Sequence, residues 1–230
     1  MKQLMMTVGC VAVCMLAASA AVADTTPVML SFGDPFQVPS AKYDVAGLNC
    51  TLGAGKCHDL SGLDLGIASC VSGDFKGVSV CGIQGITIGQ MRGVHIEGLS
   101  SEVFDSVYGV QIGGLRSVSR KGDLFGLQIG GVLSGTSNSV YGVQIAGFGN
   151  KVKAGDVCGV QIAGIMNATA NNLSGVQIAG VVNMAGCMNG LQIGLLNLAD
   201  RVECGLQIGL FNVINDNGWA TVLPIVNGHF

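Results

Sequence analysis

The chain has 230 residues and a formal net charge of −3, and only 11% of its residues are charged. The absence of a basic stripe argues against a nucleic-acid surface, and no long charge run marks a tail. Glycine is abundant at 37 residues but has no Gly-X-Y period, which excludes collagen.

The N-terminus reads as a secretory signal over residues 1–23. Lys2 precedes an apolar stretch from about Leu4 to Ala18, and Ala21-Val22-Ala23 closes it as an A-x-A site. The mature chain then begins at Asp24. No later stretch reaches the eighteen apolar residues of a membrane helix. Residues 24–44 hold three of the four prolines and one strand-like run, Val28 to Phe32. They read as an N-terminal cap or first strand.

Residues 45–217 are a repeat domain. The phrase Gly-Val-Gln-Ile-Gly, or a close variant, starts at Gly109, Gly126, Gly142, Gly159, Gly175, Gly190 and Gly205. Weaker copies start at Gly47, Gly62, Gly77 and Gly93. The eleven starts are separated by 15, 15, 16, 16, 17, 16, 17, 16, 15 and 15 residues, the signature of a stacked-coil architecture. With the first Gly as place 0, the apolar places are −2, 1, 3 and 6, and place 2 is polar. Alternation at places 0–4 predicts a strand, and the steps of three predict corners that keep the apolar side chains inward. The third-place residues form one column: Gln111, Gln128, Gln144, Gln161, Gln177, Gln192 and Gln207, preceded by Asn49, Asp64, Ser79 and His95. With Val and Ile taken as core, this column falls on an outer face, as a stacked structural ladder or a binding face. Asn167, Asn183, Asn197 and Asn212 recur shortly afterwards as candidates for a second ladder. Residues 218–230 break the pattern with Trp219 and Pro224 and read as a C-terminal cap or closing strand.

The predicted fold is all-β: a parallel β-solenoid of about 11 coils with terminal caps. An antiparallel outer-membrane β-barrel of about 12 strands is the alternative, with Gln and Gly facing a lumen and Phe230 ending the last strand. An odd number of cysteines follows the signal: Cys50, Cys57, Cys70, Cys81, Cys158, Cys187 and Cys204. In an exported chain, Cys187 with Cys204 and Cys57 with Cys70 are candidate disulfides by spacing.

Chemistry-bearing residues are few. Arg92, His95 and Glu97 form the best polar cluster. His95 and Glu97 share a strand face and, with Asp64 from a neighbouring coil, have the donor types of a metal or acid–base site. Cys57, His58 and Asp59 are a second ligand-like set in a turn. Both are also what a solvated column and a turn would carry. No nucleophile elbow, phosphate loop, catalytic residue, metal motif or cofactor motif emerges.

Segments such as Gly190-Leu191-Gln192-Ile193-Gly194-Leu195-Leu196-Asn197 and Gly205-Leu206-Gln207-Ile208-Gly209-Leu210-Phe211-Asn212 resemble the GLQIGLVN-type repeats of bacterial exported surface-repeat proteins. Residues 28–40 and Leu223-Pro224-Ile225-Val226-Asn227 share the resemblance. It implies a bacterial cell-envelope protein without catalytic residues or cofactor, at the cell surface, in the outer membrane or secreted. The expected function is a non-enzymatic structural or adhesive one, toward a glycan, a protein or a second copy. A pore and a carbohydrate-active β-helix enzyme are the alternatives.

Overall fold

The computed structural model describes residues 24–33 and 36–230, so the predicted signal segment lies outside the described residues. The chain is an all-β parallel solenoid of about 11 turns, not a barrel. Among the described residues no helix is long and apolar enough to cross a membrane. Each coil repeats one in-register unit. In Val107–Gly113 and Leu124–Gly130 the pairs are Gly109 with Gly126, Gln111 with Gln128 and Ile112 with Ile129. A shorter second strand follows the corner, as in Arg116–Ser119 against Leu133–Thr136. Most length changes of one or two residues fall between these paired runs; in the last coil a bulge at Glu203 falls inside the first strand, so that Val202 takes the inward place, and the register resumes at Cys204.

The place-0 glycine is the fixed point of the coil. All eleven have positive φ, from 133° to 154°. A Cβ on Gly126 would also run into the carbonyl of Gly109 one coil below. Conformation and close approach thus both demand glycine.

The ends are capped. Thr25–Gly33 runs parallel to the first coil, and Phe36–Val38 folds back antiparallel on it. Gln37 Nε2 donates to the Lys56 carbonyl, which ties this hairpin to the coil. At the other end Val222–His229 pairs antiparallel with the last coil and covers its open edge.

The side-chain assignment departs from expectation. Residues at place −2 do form the apolar core, as Phe75, Met91, Val107, Leu124 and Met188. The Val and Ile columns at places 1 and 3 do not; they face outward, and Ile162 is 38% exposed. The Gln column, expected outside, is fully buried. The step of three from place −2 to place 1 is therefore a crossing from the inner face to the outer one. Only the place-6 step reports a corner. Gln and Asn fill the interior because stacked copies satisfy one another's amides there, which removes the usual penalty for burying them.

The expected disulfides do not form: Cys57, Cys187 and Cys204 are free thiols. Cys187 aligns with Arg201 on the next coil and Cys204 with Asn189, so one coil of separation does not bring the two sulfurs together.

Candidate functional site

The interior divides into two polar sections. In the C-terminal section the Gln column is one continuous ladder. Gln128 Nε2 donates to Gln111 Oε1 at 2.8 Å, Gln144 to Gln128 at 2.8 Å and Gln161 to Gln144 at 2.7 Å. Gln177, Gln192 and Gln207 continue it at 2.7, 2.8 and 2.8 Å. Every Nε2 points toward the N-terminal end. Beside it, Asn150, Asn167, Asn183, Asn197 and Asn212 form a second ladder in which every Nδ2 points toward the C-terminal end. The same Nδ2 atoms reach corner carbonyls of the next coil, as Asn167 to Ile178 at 2.8 Å. Each ladder ends on an unpaired oxygen, Gln207 Oε1 and Asn150 Oδ1. The Gln column is thus internal and presents no face for binding.

The N-terminal section holds the titratable groups. Asn49, Asp64, Ser79 and His95 occupy the same inward slot, and Cys81 and Glu97 point inward two places later. Asn49 Nδ2 donates to Asp64 Oδ1 at 2.8 Å. Ser79 Oγ lies 3.2 Å from Asp64 Oδ2 and 3.1 Å from Glu97 Oε1. A hydroxyl has one hydrogen, so it donates to one carboxylate, and the other bond requires a protonated carboxyl as donor. Glu97 is that partner. Burial, with a smaller push from the Asp64 charge, takes its pKa up to about 8 from the ordinary 4.5. Burial also raises Asp64, against the bonds from its neighbours. Glu97 fits because Gly85 leaves its space open; a Cβ there would strike the carboxyl.

His95 stands with its ring edge-on to Phe75, centroids 4.3 Å apart, and neither ring nitrogen has a partner. Burial pulls its pKa down to about 3. Its Nδ1 lies 3.7 Å from Glu97 Oε1, beyond hydrogen-bond reach, and burial opposes both charges. The two groups are therefore a neutral pair and not an ion pair. The expectation of an exposed Arg92–His95–Glu97 cluster is corrected: Arg92 sits at outward place −1, bonded to Gln90 and 5.4 Å from the Tyr108 ring centroid. His95 and Glu97 face the interior with Asp64, out of reach of a macromolecular substrate. They have the donor types of a metal site, but Asp64 and Glu97 are joined through Ser79.

The second sequence candidate also separates. Cys57 turns into the core, while His58 turns out and pairs with Asp44 at 2.8 Å and Asp59 at 3.6 Å. Ligand atoms of Asp44, His58 and Asp59 lie within 4.8 Å of one another. Both carboxylates already accept a backbone amide of the next coil, Asp59 and Asp74 respectively. Asp74, Asp123 and Asp156 do the same further along, so this acidic column caps coil corners.

Two features had no clear signal in the sequence. Glu102 is fully buried and held by Arg116 at 2.5 Å and Arg120 at 2.7 Å. Tyr108, Phe125 and Tyr141 stack face to face at 4.9 Å spacing along outward place −1. Their common place in three successive repeats could have revealed the second. No family model, curated protein or solved structure matches the chain.

Proposed function

We propose that the chain is a non-enzymatic repeat rod of the bacterial cell envelope that works by surface contact. The observation that carries this reading is the distribution of its chemistry. Its interior polar columns are turned inward and largely bonded to one another, and burial keeps Glu97 and His95 near the N-terminal end neutral. The outward columns are what a partner would meet. In-register stacking supports a stiff body, since each coil is held by ladders of backbone bonds to both neighbours. The resemblance to exported surface-repeat proteins supports the location.

Two cysteines provide the test. Cys158 and Cys204 are free and exposed, whereas Cys57 and Cys81 are buried. A membrane-impermeant maleimide should label Cys158 and Cys204 on intact producing cells. Labelling that appears only after lysis would refute the envelope location.

A further inference from the structure

The first-strand side of the rod carries an apolar sheet with no charge on it. Across eleven coils, places 1, 3, 5 and 6 hold only Val, Leu, Ile, Phe, Ala, Gly and Cys50. These residues face outward: Leu115 is 52% exposed, Phe148 44% and Ile162 38%. At ~4.8 Å per coil and ~3.3 Å per strand residue, places 1–6 with their corner measure roughly 50 by 20 Å, or ~1,000 Å². An ordinary monomer exposes apolar patches of a few hundred Å². Most charged side chains lie elsewhere: Lys121, Lys151, Lys153, Asp200, Arg201 and Glu203 are exposed on the second strand and its connections, and Asp44, Asp59, Asp74, Asp123 and Asp156 line the corner before the first strand, while Lys76 and Arg92 stand on the border of the face.

We infer that this face docks on a lipid bilayer, with its Val and Ile columns in the acyl–glycerol region and the charged side in water. Three observations favour lipid over a second copy. First, charge is segregated around the rod as it is around an interfacial amphipathic helix, here on a β-scaffold. Second, along one long border of the face, place −1, the five successive middle coils of the eleven carry Lys76, Arg92, Tyr108, Phe125 and Tyr141, and the other six carry small or uncharged residues. The Lys, Arg and Tyr side chains bury an apolar body and keep a polar or cationic tip at the water boundary. Third, the apolar surface is not planar. It turns the corner at places 5 and 6, where Phe32 and Phe36 extend it at one end, and Trp219 and Phe230 stand at the border beside place −1 at the other end, all more than half exposed. A rigid second rod covers one plane, whereas fluid chains follow the curve. The backbone of this side is hydrogen-bonded in ladders to both neighbouring coils, which contact with hydrocarbon requires.

The inference rests on the rod being a contact body, and its test is independent of cellular location. The purified full chain is mixed with phosphatidylcholine vesicles and centrifuged through a density gradient. Most of it should float. The Ile112→Glu/Ile145→Glu/Ile178→Glu variant should float at least tenfold less while keeping the wild-type β circular dichroism. Lys151→Glu should float as wild type. Should the triple variant not fold, tryptophan placed by Ile145→Trp or Lys151→Trp in a Trp219→Phe background gives a second measurement. Brominated lipid should quench the first and not the second. A wild-type chain that stays at the bottom, as monomer, discrete dimer or aggregate, overturns the inference. So does equal flotation of the folded triple variant, or equal quenching at both sites. If flotation succeeds while intact-cell labelling fails, only the envelope location falls.

Discussion

The inverted arrangement of side chains can be tested at two adjacent residues. Gln161 Nε2 donates to Gln144 Oε1, and its own Oε1 accepts from Gln177 Nε2 at 2.7 Å and Thr169 Oγ1 at 3.0 Å. Gln161→Ala leaves Gln144 Oε1 without a donor and the Thr169 hydroxyl without an acceptor, both buried. Gln177 keeps Thr169 and the Met184 carbonyl as acceptors. Two orphaned groups at about 1–3 kcal/mol each predict a loss of about 2–6 kcal/mol, to which the cavity adds. Ile162→Gln changes a residue 38% exposed whose inter-coil neighbours are Ile145 and Ile178, so it should cost at most about 1 kcal/mol. Equilibrium urea unfolding followed by circular dichroism reads both, compared by midpoint because repeat arrays need not unfold in two states. If Val and Ile were the core, the order would reverse: Ile162→Gln would be severe and Gln161→Ala nearly silent. That reversal would refute the face assignment.

Three further predictions concern the interior and the backbone. The folded state should be most stable at mildly acidic pH. Glu97, raised to about 8, makes the folded state hold an extra proton above 4.5, so stability falls as pH rises through 8, by about 2 kcal/mol between 6.5 and 8. Asp64 acts in the same sense. His95, lowered to about 3, makes the unfolded state hold the extra proton below 6.5, so stability also falls as pH drops. Melting temperatures that rise steadily to pH 8 would contradict this, and Glu97→Gln should flatten the alkaline limb. Gly126→Ala should prevent or severely weaken folding, whereas Gly135→Ala, with nothing nearer than 3.7 Å and no positive φ, should be neutral or gain up to about 1 kcal/mol in the same unfolding assay. In thiol titration of the native chain Cys158 and Cys204 should react within minutes. Cys57 and Cys81, whose thiols burial pushes up, should react only on unfolding.

The period, the coil number, the caps and the glycine column were all legible in the sequence, because backbone geometry repeats with the residues that permit it. The faces were not. Place −2 and places 1 and 3 are equally apolar, and composition cannot say which of two alternating sets points inward. The barrel alternative placed Gln inward correctly but closed the sheet wrongly. The deciding term is cooperative: one buried Gln is a liability, seven in register are not. For the same reason His95 and Glu97 looked like surface residues. Their column was identified, but its direction depends on the ladder that their neighbours build. Arg92 was grouped with them by proximity in the chain, although strand alternation sends place −1 outward when place 2 is inward. The Glu102 clamp brings together residues 14 and 18 positions apart, a spacing that carries meaning only once the coil length at that point is known.

The two internal ladders bear on how such a chain can change length. A stack of n amides makes n − 1 bonds and leaves one oxygen unpaired at its end, here Gln207 Oε1 and Asn150 Oδ1. That end cost does not grow with n. Inserting a whole coil in the middle adds one rung to each ladder and one more layer of backbone bonds, and disturbs neither cap. Because the two ladders run in opposite directions, an added coil adds two opposed side-chain dipoles, and the net moment along the axis does not build up with length. Duplication of a sixteen-residue segment is therefore a change that this architecture absorbs, whereas losing a cap, or one rung from the middle, is not.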